Sequence, residues 1–219
     1  MGKSKIIRVT GKGNLKVHPD MTKITIELSG SFPEYSETLR QASLYTKALR
    51  ELLAPFGFQH SDLKTLDFSV DPKTETYKVN DIYKHRLIGY RFTHSLKLEF
   101  DSNNERLGKI LYALANSSMK PEFTVSYTVK DAEAVKNKLL GRAVKDAKEK
   151  ARVLTAAAGV DLGELLSIDY SWGEINFEER SLQIPDGIMC AESAARYDLD
   201  IEPDDIQTSD TVTIVWEVR

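Results

Sequence analysis

Residues 9–30 read VTGKGNLKVHPDMTKITIELSG, and the way they are read decides the fold. Leu15 and Val17, then Ile24, Ile26 and Leu28, alternate with polar neighbours, as strands with one buried face do. Gly11-Lys12-Gly13 precedes these runs and His18-Pro19-Asp20 separates them. Either could be chemistry, since a glycine loop can hold phosphate and His with Asp can move protons. Either could be backbone geometry. A phosphate loop needs G-x-x-x-x-G-K-[ST] between a strand and a helix, and neither Gly11-Lys12-Gly13 nor Gly2-Lys3-Ser4 supplies it. The glycines are therefore expected to mark a bulge or bend where the first strand turns. Pro19 fixes φ, Pro-Asp is ordinary turn chemistry, and no third partner for a His18–Asp20 relay stands out.

Working outward, Ile7 and Val9 continue the alternation towards the N-terminus. Ser31 and Glu34 have capping-box spacing and open a helix with Tyr35, Leu39, Ala42, Leu49, Leu53 and Phe56 on one stripe, closed by Gly57 as a left-handed cap. Leu66, Phe68 and Val70 alternate with Thr65, Asp67 and Ser69 in a third strand. A polar stretch follows. Tyr90, Phe92, Leu96, Leu98 and Phe100 then line one face of a long strand, with His94 among them. Ser102 and Glu105 form a second capping box before a helix with Leu107, Ile110, Leu111 and Leu114 inward. Phe123, Val125, Tyr127 and Val129 make another strand.

Asp131 caps the longest helix, about residues 132–158, with Val135, Leu139, Ala143, Ala147, Ala151, Leu154 and Ala158 inward and Gly159 at its end. Its alanines allow a close approach to a neighbour. Gly141, which costs about 1 kcal/mol against Ala inside a helix, is expected to mark a tight contact. Leu166, Ile168, Tyr170 and Trp172 give a sixth strand, and Val212, Ile214, Trp216 and Val218 a seventh. The order ββ-α-ββ-α-β-α-ββ predicts an α+β fold, about three helices packed on a largely antiparallel sheet. One domain over residues 1–219 is expected, with an acidic insertion at about 174–210. That stretch holds eleven acidic residues against Arg180 and Arg196, a net of −9, and leaves about +6 for the rest of the chain. It could be a solvated loop. It could also dock on a basic face of the same subunit or of a neighbour.

A 219-residue chain with 41% hydrophobic and 29% charged residues has the composition of an ordinary soluble protein. Its net charge of −3 argues against a general nucleic-acid binder. One cysteine, Cys190, excludes an internal disulfide framework and suits a reducing compartment. The opening MGKSKIIRVTGKG has no apolar core of a signal peptide, and no run approaches the roughly 18 apolar residues of a membrane span, so a cytoplasmic location without membrane contact is expected.

No H-x-x-x-H, C-x-x-C or G-x-S-x-G spacing occurs, so no metal, cofactor or catalytic set is expected. His94, on an apolar face, is expected to be a buried, hydrogen-bonded residue, with a pocket beside it as the alternative that an enzyme would need. Asp198, Asp200, Glu202, Asp204 and Asp205 could gather a cation or a basic partner, although they lack the glycine and spacing of a calcium loop.

Several phrases together, IIRVTGKGNLKVHPDMTKITIEL, APFGFQHSDLKTLDFSVDP, LIGYRFTHSLKLEF and AVKDAKEKARVLTAAAGVDLGELLSI, resemble the SIMPL-domain family, a bacterial domain of unknown function. The likeness covers roughly residues 6–172 and the last strand. It implies that Gly11, Gly13, Pro19, Asp20, Gly57, Asp62, Thr65 and Gly159 are fold markers rather than catalytic groups. It implies an α+β fold without established activity or cofactor. Relatives are linked to envelope or oxidative-stress phenotypes, and some form ring-like homo-oligomers. Most bacterial relatives carry an export signal, and the acidic stretch is not part of the family motif. The expectation is a non-enzymatic, cytoplasmic, oligomeric scaffold or interaction protein with a link to stress. The acidic segment as a binding module, and an enzyme with a pocket near His94, stand as alternatives.

Overall fold

In the computed structural model, residues 5–80, 82–170 and 202–219 are described. Along the chain run β1 (Ile6–Val17), β2 (Met21–Phe32), α1 (Tyr35–Leu53), a 3-10 turn (Ala54–Phe56), β3 (Lys64–Val79), β4 (Ile82–Asp101), α2 (Asn104–Ala115), β5 (Glu122–Thr128), α3 (Ala132–Ala158), β6 (Leu162–Asp169) and β7 (Ile206–Val218). The fold is α+β in the order the sequence predicts, and its described strands form two antiparallel sheets, β1-β7-β6 and β3-β4-β2-β5. The chain clusters into two compact units. Of the described residues, one holds those up to 20, 128–170 and 203–219. The other holds residues 21–127.

In the first unit β1 pairs with β7 without a break, from Ile6 opposite Glu217 to Val17 opposite Ile206. The expected bulge at Gly11 and Gly13 is therefore absent. Both glycines continue the inward face of Ile7, Val9, Leu15 and Val17, and the reason for them is α3. A Cβ on Gly11 would lie 2.0 Å from the Ala143 carbonyl oxygen, and one on Gly13 would lie 2.2 Å from that of Leu139. The inward stripe of α3 is Leu139, Ala143, Ala147, Ala151 and Thr155, so glycine meets alanine and the helix backbone rides directly on the strand. Leu154, read as inward, is 51% exposed. Gly141 makes no tight contact: nothing lies within 4 Å of its missing Cβ.

Side chains from α3 also close the free edge of β1. The Lys12 N–H donates to Asp146 Oδ2 at 2.7 Å, and Arg142 donates to the Asn14 carbonyl at 2.6 Å. Covering an edge in this way removes a template for stray pairing. Asp131 caps α3 as read, accepting from the Ala134 N–H at 2.8 Å. Gly159 ends it at φ 68°, left-handed as expected. The last strand begins at Ile206, earlier than the alternation from Val212 suggests, so the end of the acidic stretch is strand.

In the second unit β4 is the central partner of β2 and β3. Ile24, Ile26 and Leu28 of β2 and Phe92, Leu96 and Leu98 of β4 are buried beneath α1 and α2, and Leu107, Ile110, Leu111 and Leu114 point inward as predicted. The two capping boxes do not form, because strands claim their serines. Ser31 pairs with Arg91 inside β2, and α1 starts after Glu34 with no side-chain cap. Ser102 Oγ meets Thr22 Oγ1 at 3.1 Å, and Asn103 caps α2 by accepting from the Arg106 N–H. The buried stripe of α1 is Thr38, Ala42, Thr46, Leu49 and Leu53. Tyr35 and Leu39, expected inward, are 49% and 40% exposed. Gly57 follows the 3-10 turn at φ 83°, the left-handed cap expected of it.

The polar stretch after Val70 is strand as well. β3 and β4 run on as a two-stranded arm as far as Val79 opposite Ile82, with Asn80 at φ 50°. β2 ends opposite Tyr90, so β4 has no second described neighbour beyond that point. Lys73 faces Gly89 while Thr74 faces Leu87, so a bulge sits where the arm leaves the sheet.

Candidate functional site

The described cavity with the most polar chemistry lies in the second unit. It is a groove of about 850 Å³ lined by residues of α1 and the turn after it, with Phe68 of β3 and His94 of β4. Thr46 and Arg50, four residues apart on α1, share one face of the helix. β3 contributes through a bulge. Thr65 faces Leu96 and Asp67 faces Ser95, which leaves Leu66 as the extra residue. The simple alternation puts Thr65 and Phe68 on opposite faces. The bulge brings both to the side of His94, and no sequence period signals that.

His94 is 8% exposed and sits between two threonines. Its Nδ1 is 2.9 Å from Thr46 Oγ1, and its Nε2 is 2.9 Å from Thr65 Oγ1. The Thr46 hydroxyl also lies 2.9 Å from the Ala42 carbonyl, which can only accept. Thr46 therefore gives its proton to Ala42 and receives one from Nδ1. Nε2 is left as the acceptor for the Thr65 hydroxyl. The neutral ring is fully satisfied in this tautomer. Burial first, and then the nearby Arg50 charge, hold the imidazole below its ordinary value. Phe68 packs edge-on at 5.2 Å between centroids. His94 is thus the buried, hydrogen-bonded residue expected, and it also has the pocket beside it. With both nitrogens engaged, its chemistry is that of an oriented polar wall.

The turn that closes the groove is held by Asp62 and Arg106. Asp62 accepts from the Gln59 N–H at 2.7 Å and returns its own N–H to the Gln59 carbonyl at 3.0 Å. Arg106 donates to the Phe56 carbonyl at 2.7 Å and stacks over Phe58 at 4.1 Å, satisfying a helix-end acceptor while covering an aromatic face.

The His18-Pro19-Asp20 connector does different work. Asp20 accepts from the Lys130 N–H at 2.7 Å, tying the exit of β1 to the segment that leads into α3. His18 turns instead to Asp205, 3.4 Å away across an exposed surface. The two residues form no relay. Of the two puzzles of residues 9–30, Gly-x-Gly answers to packing under α3, and Asp20 answers to a backbone hydrogen bond.

A family model described as SIMPL, protein of unknown function (DUF541), matches residues 7–216. The chain belongs to the SIMPL family. No curated protein matches it. In this SIMPL protein the fold markers named from the resemblance fall at identifiable structural jobs: Gly11 and Gly13 under α3, Asp20 on Lys130, Gly57 and Gly159 in left-handed caps, Asp62 in the turn and Thr65 on His94. Pro19 lies in the connector between β1 and β2.

Of the acidic residues considered for a cation, Asp198 and Asp200 lie outside the described residues, as do Cys190 and most of the stretch from 174. Glu202, Asp204 and Asp205 are exposed, Asp204 accepts from the Asp205 N–H, and Asp205 faces His18. Among the described residues no three His, Cys, Asp or Glu side chains gather as a metal site, and no helix is long and apolar enough to cross a membrane. The residues that sequence reasoning missed are Thr46, Arg50 and Phe58. Thr46 and Arg50 carry a weak signal, since they continue the Thr38–Ala42 spacing along α1.

Proposed function

We propose that this SIMPL protein is a non-enzymatic interaction protein that works as a homo-oligomer, and that a second copy covers the β3–β4 arm. The arm carries this reading. Over residues 71–78 and 82–88 every side chain is exposed except the half-buried Glu75, and the exposed ones include Tyr77, Ile82, Tyr83, Leu87 and Ile88. Two strands alone are marginal in water, and exposed apolar side chains on such an arm fit a surface that meets a partner. Its side-chain contacts include an Arg86–Glu75 pair, Thr76 Oγ1 at 3.0 Å from His85 Nδ1, and Lys78 and Arg86 each 5.8 Å from a tyrosine ring.

The sequence over 71–88 has Lys73, Lys78, Lys84 and Arg86 against Asp71, Glu75 and Asp81, a small basic excess that is of the right sign to meet the −9 of residues 174–210 of another copy. The satisfied His94, paired with hydroxyls rather than a carboxylate, supports the non-enzymatic part. A cytoplasmic setting belongs to the same proposal and leans on the single cysteine. A tie to oxidative stress rests on the family resemblance.

The test is mass by light scattering, at low and high salt, for the full chain and for one in which residues 73–89 are replaced by an Asn-Gly turn. A multiple of the 24.7 kDa chain mass that falls to the monomer in the shortened chain is the expected result, with partial weakening in salt. A full chain that is monomeric throughout removes the proposal. An unchanged oligomer in the shortened chain removes the arm from it.

A further inference from the structure

The groove beside His94 holds a cation that the fold leaves unused. Arg50 lines it, and its Nε is buried without a hydrogen-bond partner. The other cation of the groove on α1, Lys47, lies 3.8 Å from Glu51. Nothing comparable answers Arg50 among the described residues. A guanidinium presents a planar fork of N–H donors that matches a carboxylate.

Around this fork the walls are mixed, with Ser43, Gln59 and His60 among the polar residues and a substantial apolar part. Leu39, Ala42, Ala54, Phe58 and Phe68 line the groove, and the neutral, hydroxyl-bound His94 adds no second charge. The volume of about 850 Å³ falls within the roughly 300–1,000 Å³ of small-molecule sites. One unpaired cation beside the apolar part of the groove suits one negative charge on an apolar body. A dianion is a poorer match, because Lys47 is engaged and Glu51 stands at the same wall.

We propose that the groove binds a small organic monocarboxylate, its carboxylate bidentate on Arg50 and its apolar body against Phe58 and Phe68. This site is independent of the assembly proposed above, since it uses α1 and the root of the sheet rather than the arm.

The experiment is calorimetric titration of the full chain with phenylpropionate and with octanoate, each beside its primary amide, and with inorganic phosphate. At least one acid binds, and its amide, which has the same shape without the charge, binds about tenfold or more weakly. Arg50→Met keeps the aliphatic stem and loses the fork. It is expected to weaken the acid by about tenfold or more and to abolish the difference between acid and amide. Lys47→Met is expected to leave the acid within about twofold, as a surface charge outside the bidentate contact should.

Thermal unfolding records that each variant is folded. If Arg50→Met fails there, Arg50→Lys, which keeps the charge and loses the fork, replaces it; it is expected to weaken the acid by about tenfold while part of the difference between acid and amide remains. Equal binding of acid and amide, undiminished binding by the Arg50 variant, tighter binding of phosphate than of either acid, or no heat from either acid at about 10 mM each overturns the proposal.

Discussion

The two units solve the packing of a helix on a sheet in opposite ways. In the first, contact is made by removing side chains: Gly11 and Gly13 of β1 meet Ala143 and Ala147 of α3, and the backbones touch. In the second, it is made by adding them: Phe92, Leu96, Leu98 and Phe100 of β4 fill the space below α1 and α2 with bulk. The first leaves no slack along that contact. The second keeps a groove, because α1 meets the sheet there through Thr46 and Arg50 rather than through large apolar side chains. A candidate binding site therefore belongs to the loosely fitted unit, and the tightly fitted unit is where small changes in volume are felt most.

Truncation in the second unit is the largest expected perturbation. Phe92→Ala empties a fully buried site and should cost about 3–5 kcal/mol, read by urea unfolding. Gly11→Ala adds one methyl group to the first unit, against backbone that cannot rotate away, and should cost about 3 kcal/mol. If that single methyl is tolerated, the contrast between the units fails.

Gly141→Ala is the counterpart on the same helix. Its missing Cβ faces open space, so helix propensity alone acts and should stabilise by about 1 kcal/mol. Gly159→Ala also meets open space, yet it should destabilise by about 1 kcal/mol because φ there is positive. Opposite signs for these two, measured in one buffer, separate conformation from crowding.

The smallest effect is the pH dependence of His94. Its folded pKa lies below the ordinary value of 6.5, so within that window the unfolded chain binds a proton that the folded chain refuses. The stability from the neutral ring is complete above about pH 6.5 and is lost as pH falls through the window below it. In His94→Gln that component of the acid sensitivity should vanish. Denaturation midpoints of the two chains at pH 7.5 and pH 5 give the comparison, and parallel losses would contradict it.

What could be read from residues alone follows the same division. Element order and the bounds of α3 were legible because Asp131, the alanine stripe and Gly159 agree with one another. The capping boxes misled because Ser31 and Ser102 have longer-range partners that local spacing cannot show. The arm escaped notice because neither of its faces is buried, and buried faces are what alternation detects. The stripe of α1 was misplaced because two of its five buried residues are threonines. The groove was half legible. His94 stood out on an apolar face, but its partners come from a helix face and from a bulge at Leu66 that shifts Thr65 by one register.

The pairing of β1 with β7 also sets an order of events during synthesis. All the strands and helices of the second unit are complete once residue 128 has been made, and their contacts are comparatively local. The first unit cannot close until Val218 exists, because Ile6 to Val17 find their strand partners only between Ile206 and Glu217. Loop closure over such a separation is slow compared with local pairing. β1 thus spends the translation of some two hundred residues without its strand partner. Its composition suits that wait. Glycines interrupt one face, Arg8, Lys12 and Lys16 punctuate the other, and a strand so built is a poor template for its own kind. The same two glycines that let α3 settle at the end keep β1 from sticking at the beginning.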